Sequence, residues 1–283
     1  MIKHKKYNLW LHEDSELTEL LGSRIIDRVT LHEWPNSCVQ KLLLDNNKRL
    51  IYKYQSGGDT ESRFYEDVSS SILPKTKTLW RDDWFSCMVI EYIETPPMGI
   101  LEKSDNELIK ISYEIIETIK KIKDRAPIIL DIGSWEKWHE MASETIKTLK
   151  QLIAENRHYG SGLEDIQYME SIIFSLKMKK LYQKEIGLIH GDLNGGNIFP
   201  QNNSYKIIDW QSCKIAPLEL DRASFISRQG KDPSKLINPE IAYMLYFVNI
   251  WWLVKCQTEI LKDGNYDNSI SYNLTRFKEI SIT

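Results

Sequence analysis

Apolar residues recur in two different rhythms along this chain. Over the first hundred residues they come in short runs. "SCVQKLLLDNNKRLIYKYQ" holds two such runs around "DNNK", whose Asp and Asn residues signal a turn, so it predicts a hairpin. In that hairpin, alternation puts Lys53 with Ile51 on one face and Leu50, Tyr52 and Tyr54 on the other. "DTESRFYEDVSSSILP" changes the rhythm. Phe64, Val68 and Ile72 share a helical face, Asp59 or Thr60 can cap the start, and Pro74 ends the helix. Strands resume at "TKTLW" and "WFSCMVIEYI". "TPPMG" at residues 95–99 breaks the pattern and marks a boundary between an N-terminal lobe, residues 1–94, and a C-terminal lobe, residues 95–283.

Beyond the breaker the rhythm is helical. Ser104 and Glu107 have capping-box spacing, and Leu108, Ile111, Ile115, Ile119 and Ile122 follow at intervals of three and four. Ser134 can cap a second helix, which carries Trp135, Trp138, Met141 and Leu149. A third is expected from about Leu163 to Tyr182. Short strands interrupt at "LIH", "NIF" and "YKIIDW", and a long apolar helix runs from Pro239 toward Lys262. This order predicts an α+β fold with a small β-rich N-terminal lobe and a larger, mainly helical C-terminal lobe.

Composition narrows the partners. The 283 residues can bury a sizeable core as one large domain or two lobes. A net charge of −3 argues against a broad nucleic-acid surface. The longest apolar stretch, "YMLYFVNIWWLV", is too short to span a bilayer and reads as a buried helix, so no membrane partner is expected. The basic start "MIKHKKYN" leads into no apolar core or cleavage site and is not read as a signal peptide. Cys38, Cys87, Cys213 and Cys256 are far apart, which points to reduced thiols in the cytoplasm and not to disulfides or a zinc site. No feature of the sequence sets the oligomeric state.

The densest polar cluster lies between two apolar segments, in "LIHGDLNGGNIF" at residues 188–199. Asp192 stands five residues before Asn197 and 17 before Asp209, and Asp209 ends the apolar run "KIID". Magnesium takes oxygen ligands and keeps some waters, so one carboxylate, one amide oxygen and nucleotide phosphates suit it. A second carboxylate is then free to accept a proton from a hydroxyl. Asn, Asp and Gly are also ordinary turn formers. The full string, followed by "IIDW", favours chemistry over a plain turn.

"HGDLNGGNIF" followed by "IIDW" resembles the aminoglycoside phosphotransferase and choline kinase superfamily, the small-molecule branch of the protein-kinase-like fold. The order of catalytic-loop Asp, catalytic-loop Asn and metal-binding Asp is that of protein kinases. His-Gly-Asp and Asp-Trp-Gln replace their His-Arg-Asp and Asp-Phe-Gly, and no Ala-Pro-Glu follows Asp209. The resemblance implies a bilobal protein-kinase-like fold. It also implies Mg2+-dependent transfer from ATP or GTP to a hydroxyl of a small molecule.

The same resemblance assigns roles. Asp192 orients or deprotonates the acceptor hydroxyl, and His190 braces the loop by hydrogen bonds without acting as a base. Asn197 and Asp209 hold magnesium. Lys53 meets the phosphates and pairs with Glu61, which sits in a Glu-x-x-Phe-Tyr pattern, with Glu66 as its rival. "MVIEYIE" resembles the adenine hinge, where the Glu91 carbonyl and the Ile93 amide meet the base. The stretch "HEWPNSCV" has no glycine to cover the phosphates, which leaves Ser37 as the candidate. Asp221, in "PLELDRASF", matches an Asp that often follows the metal motif but reads here as a helix N-cap.

The acceptor pocket is less legible. Trp135, Trp138, Trp251 and Trp252 can offer cation–π faces or fill the core. Glu155, Glu164, Asp165 and Glu170 suit a polycationic antibiotic or a solvated face. Antibiotic phosphorylation is the leading expectation. Kinases of choline, homoserine or methylthioribose are the alternatives, and a nucleotide-binding pseudokinase is the reading of another class.

Overall fold

A computed structural model of the chain describes residues 1–122, 124–158, 161–202, 204–260 and 266–280. The chain divides into two compact units. The first comprises residues 1–97, 122–127 and 197–211, and the second the remainder. Among the described residues, no helix is long and apolar enough to cross a membrane.

The first unit begins with short strands β1 (Ile2–Lys3) and β2 (Trp10–Leu11), then α1 (Asp14–Leu21). The Glu16 side chain accepts the Glu13 N–H at the start of α1, and Gly22, at φ +66°, ends the helix with a bond to the Thr18 carbonyl. Next come β3 (Ile25–Trp34), β4 (Ser37–Leu44), β5 (Arg49–Ser56), α2 (Thr60–Asp67), β6 (Thr76–Arg81) and β7 (Phe85–Glu91). Strands β3 to β7 form an antiparallel sheet in the order β3-β4-β5-β7-β6. The expected hairpin is β4–β5, turning at 45–48 with Asn47 in the left-handed region. One face of the sheet buries Leu42, Tyr52, Tyr54 and Val89 against Leu17 of α1. Lys53 lies on the opposite face, register-paired with Met88.

In the second unit the chain runs through α3 (Asp105–Ile119), β8 (Leu130–Asp131), α4 (Trp135–Ala154), α5 (Leu163–Ile173), α6 (Leu176–Lys180) and β9 (Ile186–Ile189). It re-enters the first unit for the hairpin β10 (Ile198–Gln201) and β11 (Ser204–Ile207). The second unit then resumes with β12 (Lys214–Pro217), α7 (Glu219–Arg228), α8 (Pro233–Leu236), α9 (Pro239–Lys255) and α10 (Asp267–Glu279). β12 lies between β8 and β9 in a small sheet. Ser104 and Ser134 cap α3 and α4 as expected. The architecture is α+β, β-rich toward the N-terminus and helical toward the C-terminus.

Two helices depart from expectation, and the end of a third is not described. α2 stops at Asp67 instead of reaching Pro74. The following serines leave the helix: Ser69 donates its N–H to Asp124, and the Ile72 carbonyl takes the N–H of Ile207 from β11. The helix expected from Leu163 to Tyr182 breaks at Phe174, because Ser175 caps a new helix by accepting the Met178 N–H. The long apolar helix extends as α9 and a π-turn, Cys256–Ile260, and its expected end at Lys262 lies outside the described residues. α1 went unread in the sequence because it sits within a run of strands.

Candidate active site

The site residues of the first unit gather on the polar face of the sheet. Strand alternation turns Lys53 away from the Tyr52 and Tyr54 core and buries it, 8% exposed. Its ammonium lies 2.5 Å from Glu61 Oε2 and 2.7 Å from Asp209 Oδ1. Glu61, in the first turn of α2, is 1% exposed. Glu66 pairs instead with Arg81 at the surface. Burial by itself would pull the Lys53 ammonium down, but the charges of Asp209 and Glu61, with their hydrogen bonds, outweigh it and hold the ammonium above its ordinary value.

Asp209 sits two residues beyond β11 with φ +67°, a backbone conformation that costs about 1–3 kcal/mol for a residue with a side chain. Its neighbours hold it there. The Trp210 ring stacks on Phe64 with centroids 4.5 Å apart, and its Nε1 donates to the Ile207 carbonyl. The Tyr65 hydroxyl accepts the Asp209 N–H at 3.3 Å. Asn197 lies at the same end of the β10–β11 hairpin, since Ile198 pairs with Ile207 and the Ile208 N–H donates to the Asn197 carbonyl at 3.0 Å. Two carboxylates against one ammonium leave this trio, in which Lys53 and Glu61 are buried and Asp209 is partly exposed, with an excess negative charge. The nearby protein donors are carboxylate and amide oxygens. Among the described residues no three His, Cys, Asp or Glu side chains cluster to hold a metal by themselves. This donor set fits a hard cation that completes its shell with phosphate and water, and it does not fit zinc.

Glu91 closes β7 with its N–H on the Lys75 carbonyl, and the half-buried Ile93 follows two residues on, outside the strand. Ser37 opens β4 directly after the Pro35–Asn36 turn, and Asn36 accepts the Ser56 N–H across it. Gly57 carries φ +83° beside that turn.

In the second unit, β9 delivers the loop that begins at His190. His190 is fully buried, and its Nδ1 accepts the Asp192 N–H at 3.3 Å. The backbone is held by Asp221. One carboxylate oxygen accepts the His190 N–H at 2.6 Å and the other the Gly191 N–H at 2.9 Å. Asp221 is therefore no helix N-cap: α7 begins at Glu219 with Leu218 at the cap, and Asp221 points from its first turn to the loop. Burial pushes the Asp221 carboxyl up, opposed by His190, the two backbone bonds and Lys214. Gly191, at φ +81°, admits no side chain, because a Cβ there would overlap the Ser212 carbonyl oxygen and the Lys214 ammonium. Asn194 closes the loop by bonding the Asp192 carbonyl and the Gly196 N–H. The outcome is a buried backbone under an accessible carboxylate: the Asp192 side chain is 39% exposed and lies 3.3 Å from Arg228 Nη2.

Several of the acceptor-side candidates have other partners. Trp138 is fully buried and donates to the Ile173 carbonyl, so it belongs to the core. Glu155, Asp165 and Glu170 pair with Arg157, Lys278 and Lys150, as a solvated face does. Sequence reasoning missed Lys214, Arg228 and Tyr65. A charged residue within the short apolar strand "CKIAP" was the one local signal for Lys214.

Solved structures share this fold at low identity. A thermostable mutant of aminoglycoside phosphotransferase APH(4)-Ia is 14% identical over 95% of this chain and 98% of that one, with a TM-score of 0.65. A choline kinase from Streptococcus pneumoniae is 15% identical over 94% and 97%, with a TM-score of 0.59. An amicoumacin kinase in complex with AMP-PNP and Ca2+ is 13% identical over 95% and 94%, with a TM-score of 0.53. These likenesses establish a protein-kinase-like fold. No curated protein matches the chain in sequence. The profile of the phosphotransferase enzyme family matches residues 63–242, more than half of the sequence and including His190, Asp192, Asn197, Asp209 and Asp221, and the chain is a member of that family.

Proposed function

We propose that the protein is an ATP-dependent kinase that transfers the γ-phosphate to a hydroxyl of a small molecule. The observation that carries this reading is the buried Lys53–Glu61 pair, with the partly exposed Asp209 on the same ammonium. Burying such charges costs several kcal/mol that apolar side chains would not, so their retention points to function. Lys53, held by Glu61, binds the α- and β-phosphates. Asn197 and Asp209 hold magnesium, which when bound neutralises phosphate charge. The Glu91 carbonyl and the Ile93 amide meet the base of ATP, or of GTP.

The acceptor chemistry belongs to Asp192. Its carboxylate accepts the hydroxyl proton as the acceptor oxygen bonds to the γ-phosphorus and the bond from that phosphorus to the β–γ bridging oxygen breaks, releasing the nucleoside diphosphate. His190 orients the loop and donates no proton to the substrate. An antibiotic such as an aminoglycoside is the leading acceptor, with choline, homoserine and methylthioribose as alternatives. Four buried cysteines, none of them in a disulfide, and the need for ATP support a cytoplasmic setting.

Incubating the protein with labelled ATP, magnesium and a panel of kanamycin, spectinomycin, choline, homoserine and methylthioribose tests this. Label transferred to one acceptor is expected. Nucleotide binding with no transfer to any hydroxyl compound would favour a regulatory pseudokinase.

A further inference from the structure

The strand β12 carries a lysine where its neighbours are apolar. Lys214 is 4% exposed, beside fully buried Cys213 and Ala216. Its ammonium donates to the Gly191 carbonyl at 3.1 Å and the Ser212 carbonyl at 2.8 Å. The charged groups facing it are Asp221 from α7 and Asp192 from the loop, with the Cys213 thiol beside it on the chain. His190, from the same loop, faces Asp221. The tight turn at Gly191 is thus gripped on both sides: Asp221 takes the N–H groups of 190 and 191, and Lys214 takes the carbonyl of 191.

We propose that Lys214 is a positioning residue for the transfer step, acting through the Gly191 carbonyl and its charge to fix the direction in which Asp192 is presented to the acceptor hydroxyl. This rests on the kinase reading above. A two-sided grip matters because Asp192 follows Gly191 directly, so a rotation of the 191–192 peptide moves the carboxylate, and misplacement on the order of 1 Å can cost about 10²-fold in rate.

The grip has a pH signature. Burial lowers the Lys214 ammonium to about 8, against the pull of Asp221 and Asp192. Above that pH the positive charge facing both carboxylates is gone, so transfer falls. Stability moves the other way. The unfolded lysine keeps its ordinary value of 10.5, so between the two values the unfolded chain binds more protons and folding strengthens as pH rises. Activity that falls while stability rises is not loss by unfolding.

The test compares wild type, Lys214→Met and Lys214→Arg with saturating Mg-ATP and whichever of kanamycin, spectinomycin, choline, homoserine or methylthioribose the wild type phosphorylates fastest. The wild-type kcat is expected to fall about tenfold per pH unit above about pH 8. Lys214→Met should have a kcat lower by roughly 10²-fold at neutral pH, an unchanged KM for ATP and no such alkaline limb. Lys214→Arg keeps the charge and should move the limb to higher pH. In urea denaturation, wild type should gain stability relative to Lys214→Met between about pH 8 and 10. A merely structural lysine would lower the amplitude in both variants and leave the limb in place, which overturns the proposal. Should Lys214→Met fail to fold, an unmoved limb in Lys214→Arg overturns it as well. If wild type phosphorylates none of the five panel compounds, the kinase reading fails first, and the role of Lys214 in transfer with it.

Discussion

Replacing Lys53 by methionine would remove the cation from Glu61, which is 1% exposed, while keeping the side chain's length. Water cannot solvate the stranded carboxylate, so it takes a proton instead. The cost is bounded by that protonation: from the ordinary carboxyl value of 4.5, neutralising Glu61 at pH 7 costs about 3.4 kcal/mol, and at pH 5.5 about 1.4 kcal/mol. Burial and the Asp209 charge hold the folded carboxyl above 4.5, so the variant's folded state binds the extra proton. Its stability is then full below about pH 4.5 and is lost as pH rises. Lys53→Met should therefore lose up to about 3.4 kcal/mol at neutral pH and recover about 2 kcal/mol of it by pH 5.5. Adding Glu61→Gln should abolish that pH dependence. Urea denaturation of the three proteins at both pH values measures this, with hydrogen exchange in β5 and α2 as the local readout. A loss that does not shrink on acidification, or one well above the bound, would refute the picture of a buried pair relieved by proton uptake.

Two further outcomes follow from the same geometry. Asp209→Asn should raise the magnesium needed for half-maximal transfer by on the order of 10–100-fold, read from a metal titration at fixed ATP, and wild-type activity at low magnesium would remove Asp209 from the metal site. Gly191→Ala should destabilise the second unit by about 1–3 kcal/mol from backbone strain alone, with further cost from overlap with Ser212 and Lys214, and thermal melting at wild-type temperature would contradict the tight approach drawn for that turn.

What the sequence made legible was local. The β4–β5 hairpin follows from two alternating runs and an Asn-rich turn, and alternation alone separates Lys53 from the Tyr52 core. The capping serines at 104 and 134 needed only spacing. The misreadings are tertiary. α2 ends early because Ile72 is wanted by β11, more than a hundred residues further on. Asp221 has the composition of a helix cap, yet its carboxylate is claimed by N–H groups about thirty residues upstream. Lys214 went unread because its role comes from the Gly191 carbonyl, more than twenty residues upstream. The left-handed backbone at Asp209 has no sequence mark, because the stacking of Trp210 on Phe64 that supports it spans both ends of the first unit's chain path. The acceptor's identity stays unread for a related reason: Trp138 is spent on the core, and Glu155, Asp165 and Glu170 on surface ion pairs.

The most direct test of the account is single-turnover transfer by Asp192→Asn against wild type, with bound labelled ATP and saturating acceptor. Asparagine keeps the shape of the side chain, so the fold, the nucleotide affinity and the His190 contact to the 192 N–H should persist. It cannot take the hydroxyl proton, so the transfer rate should fall by about 10²–10⁴-fold. Equal single-turnover rates for the two proteins would contradict the assignment of Asp192 as the proton acceptor.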